Sequence, residues 1–329
     1  MIKHKICKIL LVILAIFLCV AFYELLGICV AYKKQPEVSN TTKKETKNGS
    51  WNECSENTER AVIIEKNPEA LLQRVRLIKN AKKEIILSTF AFQSDESGKL
   101  ILGALHDAAD RGVHIRLLVD GMESWIDMEG NPYFYGLSSH ENVEIKLYNK
   151  ANPLKPWKMM GRMHDKYLIA DGKRYILGGR NTYNYFLGDF PEHKNYDRDV
   201  LVVCDEPEKE NSVNQLLEYF ETIWEQEDSG YFHDNKKLAN RKSVKNAVLE
   251  LQNGYQKYFE ENKERICDTD YTDETFETEK IALVSNPIHT GPKEPVVWYQ
   301  LGELMKNAKE RVKIHTPYII CNDMMYNTW

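Results

Sequence analysis

The amino-acid sequence predicts an α/β fold in which a mixed sheet is flanked by helices, with a transmembrane helix in front of it. Three observations carry this prediction. Strand-forming runs alternate with helix-type patterns from about residue 61, a long apolar run lies near the N-terminus, and a strand–turn–strand segment surrounds Asp171. With 329 residues and 43% hydrophobic composition, the chain can bury one sizeable core or two smaller ones.

The first element is the apolar run from Ile9 to Tyr32, which contains Glu24 as its one charged residue. A helix of this length spans about 36 Å, which is enough to cross a bilayer. We therefore predict a basic stub at residues 1–8 and a single-pass anchor in the cell membrane at residues 9–32. A cleaved signal peptide is the alternative, because Cys29-Val30-Ala31 would serve as its cleavage site. Lysines on both sides of the run leave the orientation open.

The next elements follow from local composition. Residues 33–60 are polar and rich in Thr, Lys, Asn and Ser, which predicts a flexible tether. Residues 61–235 are predicted to form a first α/β domain, with a helix beginning at Asn67-Pro68. Residues 236–278 are predicted to form a helical connector whose charges face solvent. Periodicity places strands at 84–92, 113–120, 143–148, 163–170, 174–178 and 199–203, and helices at 97–111 and 210–226.

One motif in this domain is specific. His164, Lys166, Asp171, the Gly178-Gly179 pair and Asn181 follow the spacing H-x-K-x4-D-x6-G-G-x-N. Six specified positions at fixed spacing arise by chance in a chain of this length with odds on the order of 1 in 100,000. His164 and Lys166 lie two residues apart in a strand-like run and are expected on one face, and Asp171-Gly172 predicts a hairpin turn. Each residue alone is ordinary; the combination predicts a catalytic site.

The motif resembles the HKD motif of the phospholipase D superfamily. The Gly-Gly-Arg-Asn ending and the following sequence Thr-Tyr-Asn-Tyr-Phe are most similar to the first motif of bacterial cardiolipin synthases and their relatives. Two features depart from the common pattern: Gly179 stands where Ser is more usual, and the second motif is absent from these 329 residues. The resemblance implies a phospholipase D-like fold and phosphodiester chemistry, and the missing motif leaves the activity of this chain open.

An internal repeat predicts where a second domain begins. Leu77–Thr89 aligns with Leu304–Thr316 at an offset of 227 residues, with identical residues at six of thirteen positions. Coincidence between two amphipathic helix–strand units is the alternative. The same offset places a second motif histidine near position 391, beyond Trp329. We therefore expect residues 279–329 to be the truncated start of a second domain, with Ile314–Ile320 as its first strand.

The resemblance also implies roles for the motif residues. One motif His attacks phosphorus to form a phosphohistidine, and the His of the other motif protonates the leaving alcohol. His164 is the candidate nucleophile; because one motif is visible, the role of general acid is the alternative for it. Lys166 and Asn181 would bind the non-bridging oxygens of the phosphodiester. This chemistry requires no cofactor and no metal ion.

Five further residues complete or support this site. Asp171 lies at the hairpin turn, so we expect it to hold the strand pair rather than to transfer a proton. A separate carboxylate is expected to orient the imidazole, and Asp197 and Asp199 are the two candidates. Gly178 and Gly179 are part of the motif and are expected to support the site.

The substrate is expected to be a phospholipid, with phosphatidylglycerol favoured and either an alcohol or water as acceptor. Without its first 34 residues the chain carries a net charge of about −9, which argues against nucleic acid. The alternatives are a homodimeric one-motif phosphodiesterase or nuclease and an inactive remnant. Trp157, Met159 and Met160 precede the motif and would either contact acyl chains or pack in the core. The seven cysteines include no C-x-x-C pair and indicate neither a zinc site nor a disulfide framework.

Overall fold

A mixed sheet forms the centre of the larger of two units in the chain. The computed structural model describes residues 2–49, 59–190, 193–207, 210–233, 235–316 and 326. The larger unit comprises residues 55–151 and 162–281, and the smaller unit comprises residues 1–54, 152–161 and 282–329.

The strands are β1 (Arg60–Ile64), β2 (Glu84–Thr89), β3 (His114–Asp120), β4 (Val143–Tyr148), β5 (Tyr167–Ala170), β6 (Arg174–Gly178), β7 (Asp199–Val203), β8 (Ser229–Tyr231) and β9 (Phe276–Glu277). The helices are α1 (Ile2–Ala31), α2 (Asn40–Asn48), α3 (Asn67–Asn80), α4 (Glu96–Asp110), α5 (Gly121–Asp127), α6 (Pro132–Ser138), α7 (Ser212–Trp224), α8 (Lys242–Glu261), α9 (Lys263–Cys267) and α10 (Val296–Asn307).

The strand order in the described sheet is β8-β4-β3-β2-β5-β6-β7-β1-β9. Strands β2, β3 and β4 run parallel, and the remaining neighbours are antiparallel. The parallel strands are joined through α4 and through α5 and α6, since a parallel connection must cross over one face of the sheet. This is the mixed sheet flanked by helices that the sequence predicts.

Both faces of the sheet are covered by helices. On one face, Ile85, Leu87 and Leu117 belong to a buried core that includes side chains of α3, α4, α6 and α8. Side chains alternate along a strand, so Tyr167 and Tyr175 point to the other face. There they meet α7, with the Tyr167 and Phe220 ring centroids 6.5 Å apart and the Tyr175 and Ser212 hydroxyls 2.8 Å apart.

Residues 236–278 were predicted as a helical connector, and α8 is an integral part of the larger unit. One stripe of α8 is buried against α4 and α6, while its charged side chains face solvent. The buried residues at helical spacing are Val244, Ala247, Leu251, Tyr255 and Phe259. Gly103 of α4 permits this packing, because a Cβ there would lie 2.7 Å from the carbonyl oxygen of Leu251.

Three stretches differ from the sequence-based expectations. The polar tether at 33–60 contains α2, whose start is capped by the Ser39 hydroxyl, which accepts a hydrogen bond from the Thr42 amide at 3.1 Å. Strand β5 begins at Tyr167 rather than at Met163. In the expected strand Ile314–Ile320, residues 314–316 are not in a strand, and 317–320 lie outside the described residues. A strand forms only against a partner strand, and none is paired with residues 314–316 in the described chain.

Candidate active site

The candidate site lies at one edge of the sheet. The carboxyl ends of β2, β3 and β4 meet there because these strands are parallel. The antiparallel strands bring the start of β5, the end of β6 and the start of β7 to the same edge, with Ser88 opposite Tyr167, Tyr167 opposite Leu177, and Gly178 opposite Asp199. The topology therefore gathers both ends of the H-x-K-x4-D-x6-G-G-x-N segment at the edge where ligands of such sheets bind.

An extended segment before β5 carries His164 and Lys166. The amide of Met163 donates to the Asp120 carboxylate at 3.0 Å, so this part of the chain is bound to a side chain instead of a neighbouring strand. Sheet pairing resumes where the Gly178 amide donates to the Lys166 carbonyl at 3.1 Å. This explains why the strand starts later than predicted.

The imidazole of His164 is exposed on one side and packed on the other. Phe90, which directly follows β2, meets the ring edge-to-face with centroids 4.6 Å apart. Partial burial is the largest cause that lowers the pKa of His164 below its usual value, followed by the positive charge of Lys166. The carboxylates of Asp120 and Glu123 act in the opposite direction. His164 is therefore favoured in its neutral, nucleophilic form near neutral pH.

Lys166 is a buried cation in the same segment. Its ammonium donates to the backbone carbonyl of His164 at 2.7 Å and lies 5.4 Å from the centre of the Phe90 ring. Burial lowers the pKa of Lys166 to about 8, against the opposing charges of Asp165 and Asp197. A phosphodiester anion would provide the counter-charge that this partly desolvated ammonium lacks.

Asn181 and the two glycines occupy the turn after β6. The Asn181 side-chain oxygen accepts from the Ala91 amide at 3.3 Å, which ties this turn to the chain after β2. A Cβ on Gly178 would lie 2.6 Å from the carbonyl oxygen of Arg198, so the backbone itself excludes a side chain there. A Cβ on Gly179 would collide with the carboxylate of Asp197.

The two aspartates that were candidates for orienting His164 have other partners. Asp199 is buried, and its carboxylate lies 2.9 Å from Arg74 and 3.2 Å from Arg180. Asp197 accepts from the amide of Arg198 at 2.7 Å. Within the described residues, neither carboxylate has a hydrogen bond to the imidazole of His164. The carboxylates that influence His164 are instead Asp120 and Glu123.

Asp171 binds backbone amides at the opposite edge of the sheet. Its carboxylate accepts from the amides of Lys82, Lys83 and Glu84 at 2.8, 2.7 and 3.0 Å. Asp171 itself has φ 55° and Gly172 has φ 63°, as a tight hairpin of this kind requires. These contacts hold the β5–β6 hairpin against the start of β2, at a distance from the histidine end of β5.

Three charged residues at this site, Asp120, Glu123 and Arg162, were not predicted from the motif. Asp120 is the last residue of β3, and its carboxylate lies 2.7 Å from the guanidinium of Arg162. The same guanidinium lies 2.9 Å from the carboxylate of Glu123. The Arg162 guanidinium lies 4.9 Å from the Phe90 ring centre. Asp120 could have been found from its position at the carboxyl end of a predicted strand, because the carboxyl ends of parallel strands meet at one edge of the sheet.

Metal-ligating residues do not cluster at this site. Within the part of the chain that the structure describes, no group of three or more His, Cys, Asp or Glu side chains is arranged to hold a metal ion.

The chain is similar to several known proteins. Residues 74–224 match the family model described as cardiolipin synthase, PLD-like domain. The chain is 28% identical over 292 residues to an uncharacterized protein of Helicobacter pylori, covering 79% of this chain and 54% of that protein. It is 30% identical over 154 residues to cardiolipin synthase C of Escherichia coli, covering 43% and 31% of the two chains. NucT from Helicobacter pylori superposes with a TM-score of 0.42 at 18% identity, covering 53% of this chain and 99% of that chain.

The chain thus spans about half the length of the Helicobacter pylori relative and a smaller share of the cardiolipin synthase. The matched region contains β2 to β7 and the whole H-x-K-x4-D-x6-G-G-x-N segment. Sequence motif, sheet topology and family match coincide on the same residues. Residues 74–224 are therefore similar to the PLD-like domain of cardiolipin synthases.

Proposed function

We propose that this protein is a membrane-anchored phosphatidyltransferase of cardiolipin synthase type, which acts on phospholipid phosphodiesters through a phosphohistidine at His164. The observation that supports it is the pairing, in one short segment, of an accessible imidazole of lowered pKa with a buried lysine that forms no ion pair with a carboxylate among the described residues. A neutral imidazole supplies the nucleophile, and the ammonium of Lys166 supplies charge for the phosphoryl oxygens.

The proposed reaction has two displacements. A nitrogen of His164 forms a bond to phosphorus as the bond from phosphorus to the leaving alcohol oxygen breaks, and a general acid protonates that oxygen. The acceptor hydroxyl then loses its proton to the conjugate base and attacks phosphorus, which releases His164. The general acid in this proposal is the His of a second H-x-K segment, from a longer form of the chain or from a second copy in a homodimer.

Lys166 and Asn181 would bind the non-bridging oxygens through both displacements. Lys166 donates one hydrogen bond to a carbonyl and retains two further N–H groups for the substrate. Arg162 stands beside the same Phe90 ring, but its charge is already opposed by Asp120 and Glu123. Of the two described cations beside Phe90, Lys166 is therefore the one available to bind the substrate phosphate.

Two features favour a phospholipid as the substrate. Helix α1 contains a 27-residue apolar span, Lys5–Ala31, that is long enough to cross a membrane by length and composition. Without its first 34 residues the chain carries a net charge of about −9, which opposes non-specific binding to the phosphates of DNA or RNA. Phosphatidylglycerol is the favoured substrate, as donor and as acceptor.

The substrate class is tested by assaying the purified full chain on two phosphodiesters. Vesicles containing labelled phosphatidylglycerol are expected to give cardiolipin and free glycerol, or phosphatidic acid where water is the acceptor. Single-stranded DNA is the comparison substrate. Salt-sensitive cleavage of DNA together with inert phosphatidylglycerol would refute the lipid assignment and support the nuclease alternative.

The pH dependence of this activity is expected to report Lys166. With a pKa of about 8, Lys166 is about 90% protonated at pH 7 and loses its charge as pH rises through 8. We therefore expect kcat/KM for a short-chain, water-soluble phosphodiester to fall about tenfold per pH unit above that point. If Lys166 had the ordinary pKa of lysine, kcat/KM would stay unchanged up to about pH 10.

The matched variant for this profile is Lys166→Arg. Arginine stays protonated across the range, so this variant is expected to have lower activity but no decline near pH 8. The same basic limb in Lys166→Arg would show that another group titrates.

A further inference from the structure

An apolar loop directly precedes the catalytic segment. Leu154, Trp157 and Met160 expose 77%, 45% and 57% of their surface, although all are large hydrophobic residues. They belong to residues 152–161 of the smaller unit, which contain a single turn of 3-10 helix, Pro156–Lys158. A cluster of exposed apolar side chains in one short loop marks an interaction surface.

This loop packs against the C-terminal part of α1. The Tyr23 hydroxyl donates to the carbonyl of Leu154 at 3.1 Å. Gly27 allows closer contact, because a Cβ there would lie 2.5 Å from a ring carbon of Pro156. The loop therefore lies on the surface of the one described helix that is apolar enough to cross a membrane.

The other end of the loop is held at the same place. A Cβ on Gly161 would lie 2.6 Å from the Cα atom of Thr290, so these two backbones are in close contact. The Tyr32 hydroxyl, just beyond α1, donates to the carbonyl of Thr290 at 2.9 Å. Residues 152–161 are thus attached to the end of α1 both directly and through Thr290.

The attachment points set the depth of the loop. Tyr23 and Gly27 lie eight and four residues before Ala31, where α1 ends, which corresponds to about 12 and 6 Å along the helix. The 27-residue span is about 40 Å long, against a hydrocarbon thickness of about 30 Å. With α1 in a bilayer, the loop therefore lies at the boundary between acyl chains and headgroups.

The composition of the loop and of the helix end fits that depth. Trp and Tyr concentrate at membrane interfaces, and the loop contributes Trp157 while α1 contributes Tyr23. Lysines extend from such depths toward anionic headgroups, and four are present: Lys33, Lys34, Lys155 and Lys158. Charge and apolar surface together identify a bilayer containing anionic lipid as the partner.

We propose that residues 152–161 insert into the membrane interface beside α1, with Leu154, Trp157 and Met160 among the acyl chains. Gly161 is followed by Arg162, Met163 and His164, so the inserted loop ends three residues before the candidate nucleophile. The loop would hold this segment at the depth of lipid phosphates. Insertion needs α1 to be in a membrane and does not depend on catalytic activity.

The first test measures insertion without turnover. In the full chain, with its seven natural cysteines replaced by Ser or Ala, Leu154→Cys is labelled with an environment-sensitive fluorophore and reconstituted into phosphatidylglycerol–phosphatidylethanolamine vesicles. We expect a blue-shifted emission that brominated acyl chains quench several-fold more than at the control, Leu249→Cys. Leu249 is also exposed, at 56%, but lies on α8 of the larger unit. Equal emission and quenching at both positions would overturn the proposal.

The second test separates access to lipid from chemistry. The double variant Leu154→Ser, Trp157→Ser is expected to lose about tenfold in turnover of vesicle phosphatidylglycerol while it hydrolyses a water-soluble phosphodiester at the rate of the parent chain. An equal loss on both substrates would argue against a membrane role for the loop. A parent chain inactive on both would refute the proposed function, and the fluorescence result would still decide insertion.

Discussion

Replacing His164 by Ala is expected to lower phosphatidylglycerol turnover by at least about 10⁴-fold, which is the size of effect found when a catalytic nucleophile is removed. The imidazole forms the covalent bond to phosphorus in the proposed mechanism, and no other described side chain next to Phe90 can replace it. Lys166 and Arg162, the other groups beside this ring, are cations and therefore poor nucleophiles. The fold should be retained, because His164 is exposed and its ring packs against Phe90 alone among the described aromatic residues.

The measurement combines rates with trapping of the intermediate. The full chain is mixed with phosphatidylglycerol carrying a labelled phosphate and quenched in alkaline detergent, because the P–N bond of phosphohistidine is labile in acid. Label should remain on the parent chain and be absent from His164→Ala.

The control for this prediction is His114→Ala. His114 is a partly exposed histidine at the start of β3, the opposite edge of the sheet, where it pairs with Glu144 at 3.0 Å. This variant is expected to keep both its turnover and its label. Turnover by His164→Ala within tenfold of the parent chain would exclude His164 as the nucleophile.

The β5–β6 hairpin is an example of a structure that the local sequence predicts. The Asp-Gly pair predicts a turn because both central residues of a tight hairpin need positive φ, and the structure has 55° at Asp171 and 63° at Gly172. The strands on either side end within the predicted ranges because their β-branched and aromatic residues are buried on both faces. Such features depend on neighbours in sequence and are therefore predictable.

Asp120 shows where local reasoning ends. Asp120 belongs to no sequence motif, yet it binds the Met163 amide and the Arg162 guanidinium at the start of the candidate catalytic segment. These contacts join the end of β3 to the chain before β5, two strands that are separated in the sheet by β2. Only the strand order brings these residues together, and the order is not visible in the motif.

The two aspartates around the start of β7, Asp197 and Asp199, show a second limit of local reasoning. The alternating sequence of Asp197, Arg198 and Asp199 identifies carboxylates near the edge of the sheet, but it does not reveal which cation or ring each one faces. One partner of Asp199 is Arg74 of α3. Arg74 is buried on a helix whose other buried residues are mainly apolar. A buried arginine on a predicted helix is the signal that points to such an ion pair.

Replacing Asp199 by Asn is expected to destabilise the larger unit by about 3 to 5 kcal/mol, because it leaves two buried guanidinium groups without a counter-charge. Arg74 and Arg180 expose 5% and 0% of their side chains, and both reach the Asp199 carboxylate. Arg180 has further acceptors in the carbonyl groups of Ile64 and Glu65, at 3.1 and 2.7 Å, so its position also fixes the turn that carries Asn181. Loss of the carboxylate should therefore weaken phosphate binding along with the fold.

The measurement is urea unfolding of the detergent-solubilised full chain, followed by tryptophan fluorescence. The control is Asp205→Asn, which removes an ion pair with Arg174 of 2.6 Å in which the carboxylate is 71% exposed. Solvent screens such a pair, so this variant should lose less than about 1 kcal/mol. The result also separates two roles for Asp199. If Asp199→Asn keeps the stability of the parent chain and loses activity, the carboxylate acts on the imidazole of His164, whereas a large loss of stability identifies it as the anchor of the two arginines.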